Sequence, residues 1–193
     1  EVSTLGSADD WQVEWKWDGI RAQVIRRGGA TVVWSRGEEL VERTFPEVAH
    51  AATALDDGTV LDGEIVAWED GRPLPFNALQ HRLGRTMDQA VFWAEVPIAF
   101  LAFDILEHDG EDVRAEPLHA RRVLLERVVD ALDGGSIRLA PLLDAPTWAA
   151  CRAALEAARD KGTEGLMLKR LDSAYGVDRT RGPWWKWKVD PFH

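Results

Sequence analysis

Runs of β-branched and aromatic residues alternating at period two, most of them bounded by glycine or proline, recur along the chain and outnumber its helical stretches. Strands are expected at residues 13–17, 20–26, 30–36, 59–68, 96–106, 137–143, 164–170 and 184–189, and helices at 46–55, 76–83, 117–132 and 146–159. The helices interrupt the strands irregularly. That order predicts an α+β fold with mainly antiparallel sheets flanked by helices, rather than a doubly wound parallel sheet. Residues 1–10 are small and polar and read as a linker or the start of an excised fragment, which leaves 11–193 as one domain.

With 193 residues, 46% of them hydrophobic, the chain is long enough for one packed core. No apolar run approaches the roughly 18 residues of a membrane span, and no basic leader precedes an apolar signal segment. A soluble intracellular protein is therefore expected. The single cysteine, Cys151, has no internal disulfide partner and sits in a helical run as a small core residue. A net charge of -10 argues against a protein that coats nucleic acid non-specifically. A local cluster of Arg179, Arg181, Lys186 and Lys188 still provides for a positive groove, because net charge averages over faces. Of ten tryptophans, five crowd residues 15–17 and 184–187.

The densest chemistry lies in Glu14-Trp15-Lys16-Trp17-Asp18-Gly19-Ile20-Arg21. Period two puts Glu14, Lys16 and Asp18 on one face and the tryptophans on the other, and Asp18-Gly19 predicts a hairpin turn back into the next strand. Taken alone, Lys16 also fits a solvated cation on an amphipathic strand. Elsewhere Gly63, between Asp62 and Glu64 inside an apolar run, marks close approach by another backbone or a ligand. Asp104 reads as a buried carboxylate, Glu164 opens a strand, and Lys186 and Lys188 share a face.

Lys16-Trp17-Asp18-Gly19-Ile20-Arg21, with Glu14 two residues before the lysine, resembles the nucleophile motif of the covalent nucleotidyltransferases: ATP-dependent DNA ligases, RNA ligases and mRNA capping enzymes. Further segments resemble those of DNA ligase nucleotidyltransferase domains in family order: Ser35-Arg36, Asp62-Gly63-Glu64, Phe103-Asp104, Glu164-Gly165 followed by Lys169, and Trp185-Lys186-Trp187-Lys188. The cluster of Phe76, Leu79-Gln80 and Arg82 is similar to the ligase pattern too. The stretch from Trp184 onward looks most like the bacterial ligases associated with the Lhr helicase.

The resemblance implies that Lys16 is the nucleophile of a lysine-AMP intermediate, whose AMP then passes to a DNA 5′-phosphate for nick sealing. It implies ATP as the nucleotide, bound by Glu14, Lys16, Arg21, Arg36, Glu64, Phe103, Lys186 and Lys188. Glu14 would read the base edge, Phe103 would stack on adenine, Arg21 and Arg36 would reach the ribose and phosphate side, and Lys186 and Lys188 would contact phosphates. Glu64 and Glu164 would hold Mg²⁺, with Mn²⁺ as its substitute, and Arg179 and Arg181 would face DNA. Nicked duplex DNA and an OB-fold domain of the same protein are the implied partners, for a monomeric domain in the bacterial cytoplasm or nucleoid. The OB-fold and N-terminal DNA-binding domains of the family lie outside these 193 residues, so the domain alone is expected to seal weakly or not at all. An RNA ligase, a capping-type enzyme and a non-catalytic nucleotide- or nucleic-acid-binding module stay open as alternatives.

The chemistry sets its own requirement. An ordinary lysine, with pKa near 10.4, is neutral at pH 7 in only about one molecule in 10³. Burial between Trp15 and Trp17, nearby Lys186 or Lys188, or a bound metal ion would favour the neutral amine.

Overall fold

The computed structural model describes residues 2–83, 96–132, 134–176 and 182–189. Two sheets carry the architecture. The larger has seven strands: β2 (Ile20–Arg27), β3 (Ala30–Ser35), β4 (Thr59–Glu69), β5 (Arg72–Pro73), β6 (Ile98–His108), β7 (Glu111–Asp112) and β8 (Ile137–Leu139). Its order is β3-β2-β4-β6-β7, with β5 paired to β4, and all of its pairs are antiparallel except β6 with β8. The smaller sheet is antiparallel, in the order β1-β9-β10, from β1 (Trp11–Trp15), β9 (Gly165–Arg170) and β10 (Trp184–Lys188). This is the expected α+β layering.

Period-two alternation assigns each face. On the large sheet Val24, Leu61, Ile65, Phe100 and Ile105 point to one side, where they pack with Val48 of α1 (Pro46–Ala51), Leu79 of α2 (Phe76–Leu83), and Leu125 and Val129 of α3 (Leu118–Asp130). On the small sheet Trp11, Val13, Leu166 and Leu168 pack with Cys151 of α4 (Trp148–Ala157), whose first turn is capped by Thr147 accepting from the Ala150 N–H at 3.1 Å. Helices therefore cover one face of each sheet. The residues in alternate register, among them Arg21, Asp62, Glu64, Glu14, Met167 and Lys169, go to the opposite faces and meet in the cleft between the sheets.

The expected hairpin at Asp18-Gly19 does not form, because β1 pairs with β9 in the small sheet and β2 pairs with β3 and β4 in the large one. Residues 16–19 are instead the strap that crosses from one sheet to the other. A turn dipeptide between two strands specifies a change of direction but not a pairing, which depends on the partners each strand finds. The tryptophans part as well. Trp15 packs with the small-sheet core, whereas Trp17 meets Trp68 edge-on at 5.7 Å, beside Val66, Ala99 and Leu101 on the cleft face of the large sheet. They do not sandwich Lys16.

Gly63 has the expected close neighbours: a Cβ there would sit 2.5 Å from Phe100 Cζ and 2.6 Å from the Leu101 carbonyl. Beside it β6 carries a bulge, since Asp62 pairs with Asp104 but Gly63 pairs with Ala102, leaving Phe103 as the extra residue. Phe103 keeps the cleft face of Ala99 and Leu101, and the extra residue returns Ile105 to the core side with Phe100 and Ala102. Asp104 is buried as expected, gripped bidentately by Arg121 at 2.8 and 3.0 Å with neither side chain exposed.

Candidate active site

Lys16 stands where the strap leaves the small sheet. Its N–H donates to the Gly165 carbonyl at 2.8 Å and its carbonyl accepts from Glu164 N–H at 2.9 Å, so the main chain on both sides is held by the start of β9. The ammonium pairs with the Glu164 carboxylate, which also lies 3.4 Å from Lys188 Nζ. Burial raises the Glu164 pKa, but the Lys16 hydrogen bond and charge, helped by Lys188, outweigh it and hold the group below its ordinary range. Asp18, on the strap, is raised instead, by burial and then by the charge of Glu164, against Lys16 and Lys188.

Behind Lys16 lies a pocket of about 130 Å³ lined by Glu14, Lys16, Arg21, Arg36, Glu64, Phe103 and Lys186 together with Trp15, Trp17, Met167, Lys169 and Trp184. Of the residues singled out as nucleotide contacts, all but Lys188 line this one space; Lys188 reaches it through Glu164. Arg36 is placed by its own backbone N–H, which donates to the Arg21 carbonyl at 2.9 Å just past the end of β3. Arg179 and Arg181 lie outside the described residues.

The floor is a buried ion pair that sequence reading did not assign. Lys169 Nζ lies 2.7 and 2.9 Å from the two Glu14 oxygens, with side chains 1% and 3% exposed, and Gln12 Nε2 donates to Glu14 Oε1 at 2.6 Å. The same ammonium sits 4.2 Å from the Phe103 ring centroid and 4.4 Å from that of Trp184. Lys169 was readable as a cleft-facing residue from its period-two offset from Met167, but 155 residues separate it from Glu14. Tyr175 was missed altogether: its hydroxyl joins Arg21 and Asp62 at the far wall.

Charge is unevenly distributed around this space. Lys186 is pushed down from the ordinary lysine value by burial and then by the surrounding cations Lys16, Arg36, Arg21 and Lys188, a mark of a pocket prepared for an anion. Glu64 goes the other way, raised to about 7 by burial, with Asp62 and Asp18 adding and Lys16 and Arg21 opposing. Among the described residues no three acidic, histidine or cysteine side chains cluster to hold an ion, but Glu64 and Glu164 both lie near Lys16, and Mg²⁺ takes few carboxylates and completes its shell with substrate oxygens and water. A cation beside Glu64 would also relieve the burial that disfavours its ionised form, so the residues fit the metal.

Glu64 therefore sets a pH dependence of the nucleotide-free chain. Its folded value of about 7 exceeds the ordinary 4.5, so between these the folded state holds the extra proton and stability falls as pH rises, levelling off above about 7. Glu64→Gln should remove this slope. Denaturant unfolding at pH 5.5 and pH 8 should show wild type losing about 2 kcal/mol more than the variant across that interval. Parallel losses in the two proteins would contradict the assignment.

Two mainly antiparallel sheets facing each other across a cleft, with a strap-borne lysine at its mouth and cations and carboxylates converging on it, define a nucleotidyltransferase fold. The family model described as "ATP dependent DNA ligase domain" matches residues 3–188. A probable DNA ligase of Sorangium cellulosum is 38% identical over 97% of the chain and 34% of its own length, and a DNA ligase of Haloferax volcanii is 40% identical over 98% and 32%. A solved structure described as mycobacterial DNA ligase D complexed with ATP and MES superposes with a TM-score of 0.72 at 32% identity, covering 92% of this chain and 54% of that one. The chain belongs to the ATP-dependent DNA ligase domain family. It spans about a third of the length of these curated relatives. Among the described residues no helix is long and apolar enough to cross a membrane.

Proposed function

We propose that the chain is the catalytic adenylation unit of a DNA ligase, in which Lys16 attacks the α-phosphorus of ATP and keeps the AMP for transfer to the 5′-phosphate at a nick in duplex DNA. The observation that carries the reading is the meeting of Lys16, Glu64, Phe103, Arg21, Arg36 and Lys186 around one cleft from six separate strands or strand ends. Lys16 Nζ, attacking as the neutral amine after its ammonium proton has gone to solvent, forms the P–N bond as the bond to the bridging oxygen of pyrophosphate breaks and pyrophosphate leaves. The proton that Nζ then sheds passes by way of Glu164, its hydrogen-bond partner, to solvent.

Phe103, on the cleft face of β6, offers a ring face to the adenine, and Glu14, with one oxygen shared between Gln12 and Lys169, offers an acceptor to the base edge. Arg21 and Arg36 reach the ribose and phosphate side, and Lys186 and Lys188 contact the phosphates. Glu64 and Glu164 are the residues to hold Mg²⁺, which when bound would offset charge on the phosphate oxygens. Nicked duplex DNA, an OB-fold domain of the same protein, and Arg179 and Arg181 as DNA contacts complete the proposal.

Incubation with ATP and Mg²⁺ followed by intact-mass measurement tests it. A gain of one AMP is expected with ATP and not with GTP. A GMP adduct would move the chain to the capping class, and no adduct on a full-length protein containing this chain would refute catalysis.

A further inference from the structure

Tyr175 is the single tyrosine of the chain, and it is the third member of a hydrogen-bonded cluster whose other two members sit on adjacent strands. Asp62, on β4 and fully buried, accepts from Arg21 Nη2 at 2.8 Å and from Nε at 3.3 Å. The Tyr175 hydroxyl donates to Asp62 at 2.7 Å and accepts from Arg21 Nη2 at 3.0 Å. These bonds occupy Nε and both protons of Nη2. A guanidinium has five N–H groups in a rigid plane; among the described residues no protein acceptor meets the two on Nη1, and Arg21 lines the pocket of Lys16.

The hydroxyl comes from a different part of the fold than its partners. Tyr175 follows β9, its backbone N–H donates to the Arg114 carbonyl at 2.8 Å, and its ring meets Trp184 edge-on at 5.7 Å with the Arg121 guanidinium 5.9 Å from its centroid. Asp62 alone grips Arg21 along one edge and leaves the guanidinium free to rock about that edge. A third anchor, fixed by other elements, sets the plane.

We infer that Tyr175 is a positioning residue that orients Arg21, through Asp62 and directly, so that its free Nη1 edge faces the bound nucleotide. This rests on the reading of the Lys16 pocket as an ATP site with Arg21 on its wall. A purely structural tyrosine would work through its ring, against Trp184 and Arg121, and would not need the hydroxyl.

Tyr175→Phe removes only the hydroxyl. ATP affinity measured by calorimetry without Mg²⁺, so that no adduct forms, should weaken about tenfold, the loss of one hydrogen bond to a charged group. The same substitution made in an Arg21→Ala background should weaken it no further. Biosynthetic incorporation of 3-fluorotyrosine places one ¹⁹F probe at residue 175, and its resonance should shift when ATP saturates the wild-type protein. Unchanged affinity in Tyr175→Phe together with a loss in Arg21→Ala would overturn the role of Tyr175 and leave the nucleotide pocket standing. Unchanged affinity in both would overturn the pocket assignment and the inference with it. A Tyr175→Phe loss that persists in full without Arg21, or a ¹⁹F resonance blind to ATP, would return the residue to packing.

Discussion

Replacing Lys16 with alanine should leave no AMP adduct after prolonged incubation with ATP and Mg²⁺, while the chain stays folded. The Lys16 main chain is clamped at the cleft mouth and its ammonium pairs with Glu164 and lies near Glu64, whereas Lys186 and Lys188 enter from β10 and are not held at that position. Stability should fall by less than about 1 kcal/mol, because the Lys16–Glu164 pair is partly exposed and Lys188 remains near the carboxylate. Lys16→Arg sharpens the result. It keeps the charge and the contact to Glu164, yet a guanidinium does not give up its proton in proteins and has no amine lone pair to offer. It should be as inactive as alanine. An AMP adduct of normal yield in either variant would remove Lys16 from the chemistry.

The second large effect is on the fold. Lys169→Met should destabilise the chain by about 3–5 kcal/mol, since it leaves the Glu14 carboxylate buried with Gln12 as its remaining partner. The double variant Lys169→Met with Glu14→Gln removes both charges and should recover most of that loss, because the cost arises from the uncompensated ion rather than from the missing bond. Urea unfolding of the four proteins of this cycle decides it. Additive losses, with the double variant the least stable, would mean that the two side chains do not depend on each other.

The strands and helices were legible because their signals are local. The apolar runs in residues 59–68 and 96–106 and the helical spacing in 117–132 each follow from one stretch of chain, and β4, β6 and α3 lie there with their ends moved by a residue or two. The candidate site residues were named from spaced motifs, and the pocket behind Lys16 gathers those described except Lys188 and Glu164, which lie beside it. What stayed hidden was pairing across distance. Asp18-Gly19 has the chemistry of a hairpin turn, but β1 pairs with β9, 151 to 159 residues further on (Trp15 with Leu166, Trp11 with Arg170), and the turn becomes a strap. Likewise Trp15 and Trp17 flank Lys16 in sequence yet enter separate cores once the strap divides them. No local pattern ties Lys169 to Glu14, nor Tyr175 to Asp62, because the first bond needs β1 and β9 to pair within the small sheet and the second needs the segment after β9 to reach β4.

The clamp on the Lys16 main chain bears on how much order the reaction must create. A nucleophile on a free loop would have to freeze several backbone residues at the moment of attack, each at roughly 1–2 kcal/mol of conformational entropy. With its N–H and carbonyl tied to residues 164 and 165, Lys16 is left only the torsions of its own side chain, worth about 2 kcal/mol in all. The strap thus does for the amine what crystallisation does for a reagent: direction is settled before the reaction begins, and the remaining search runs along four side-chain bonds.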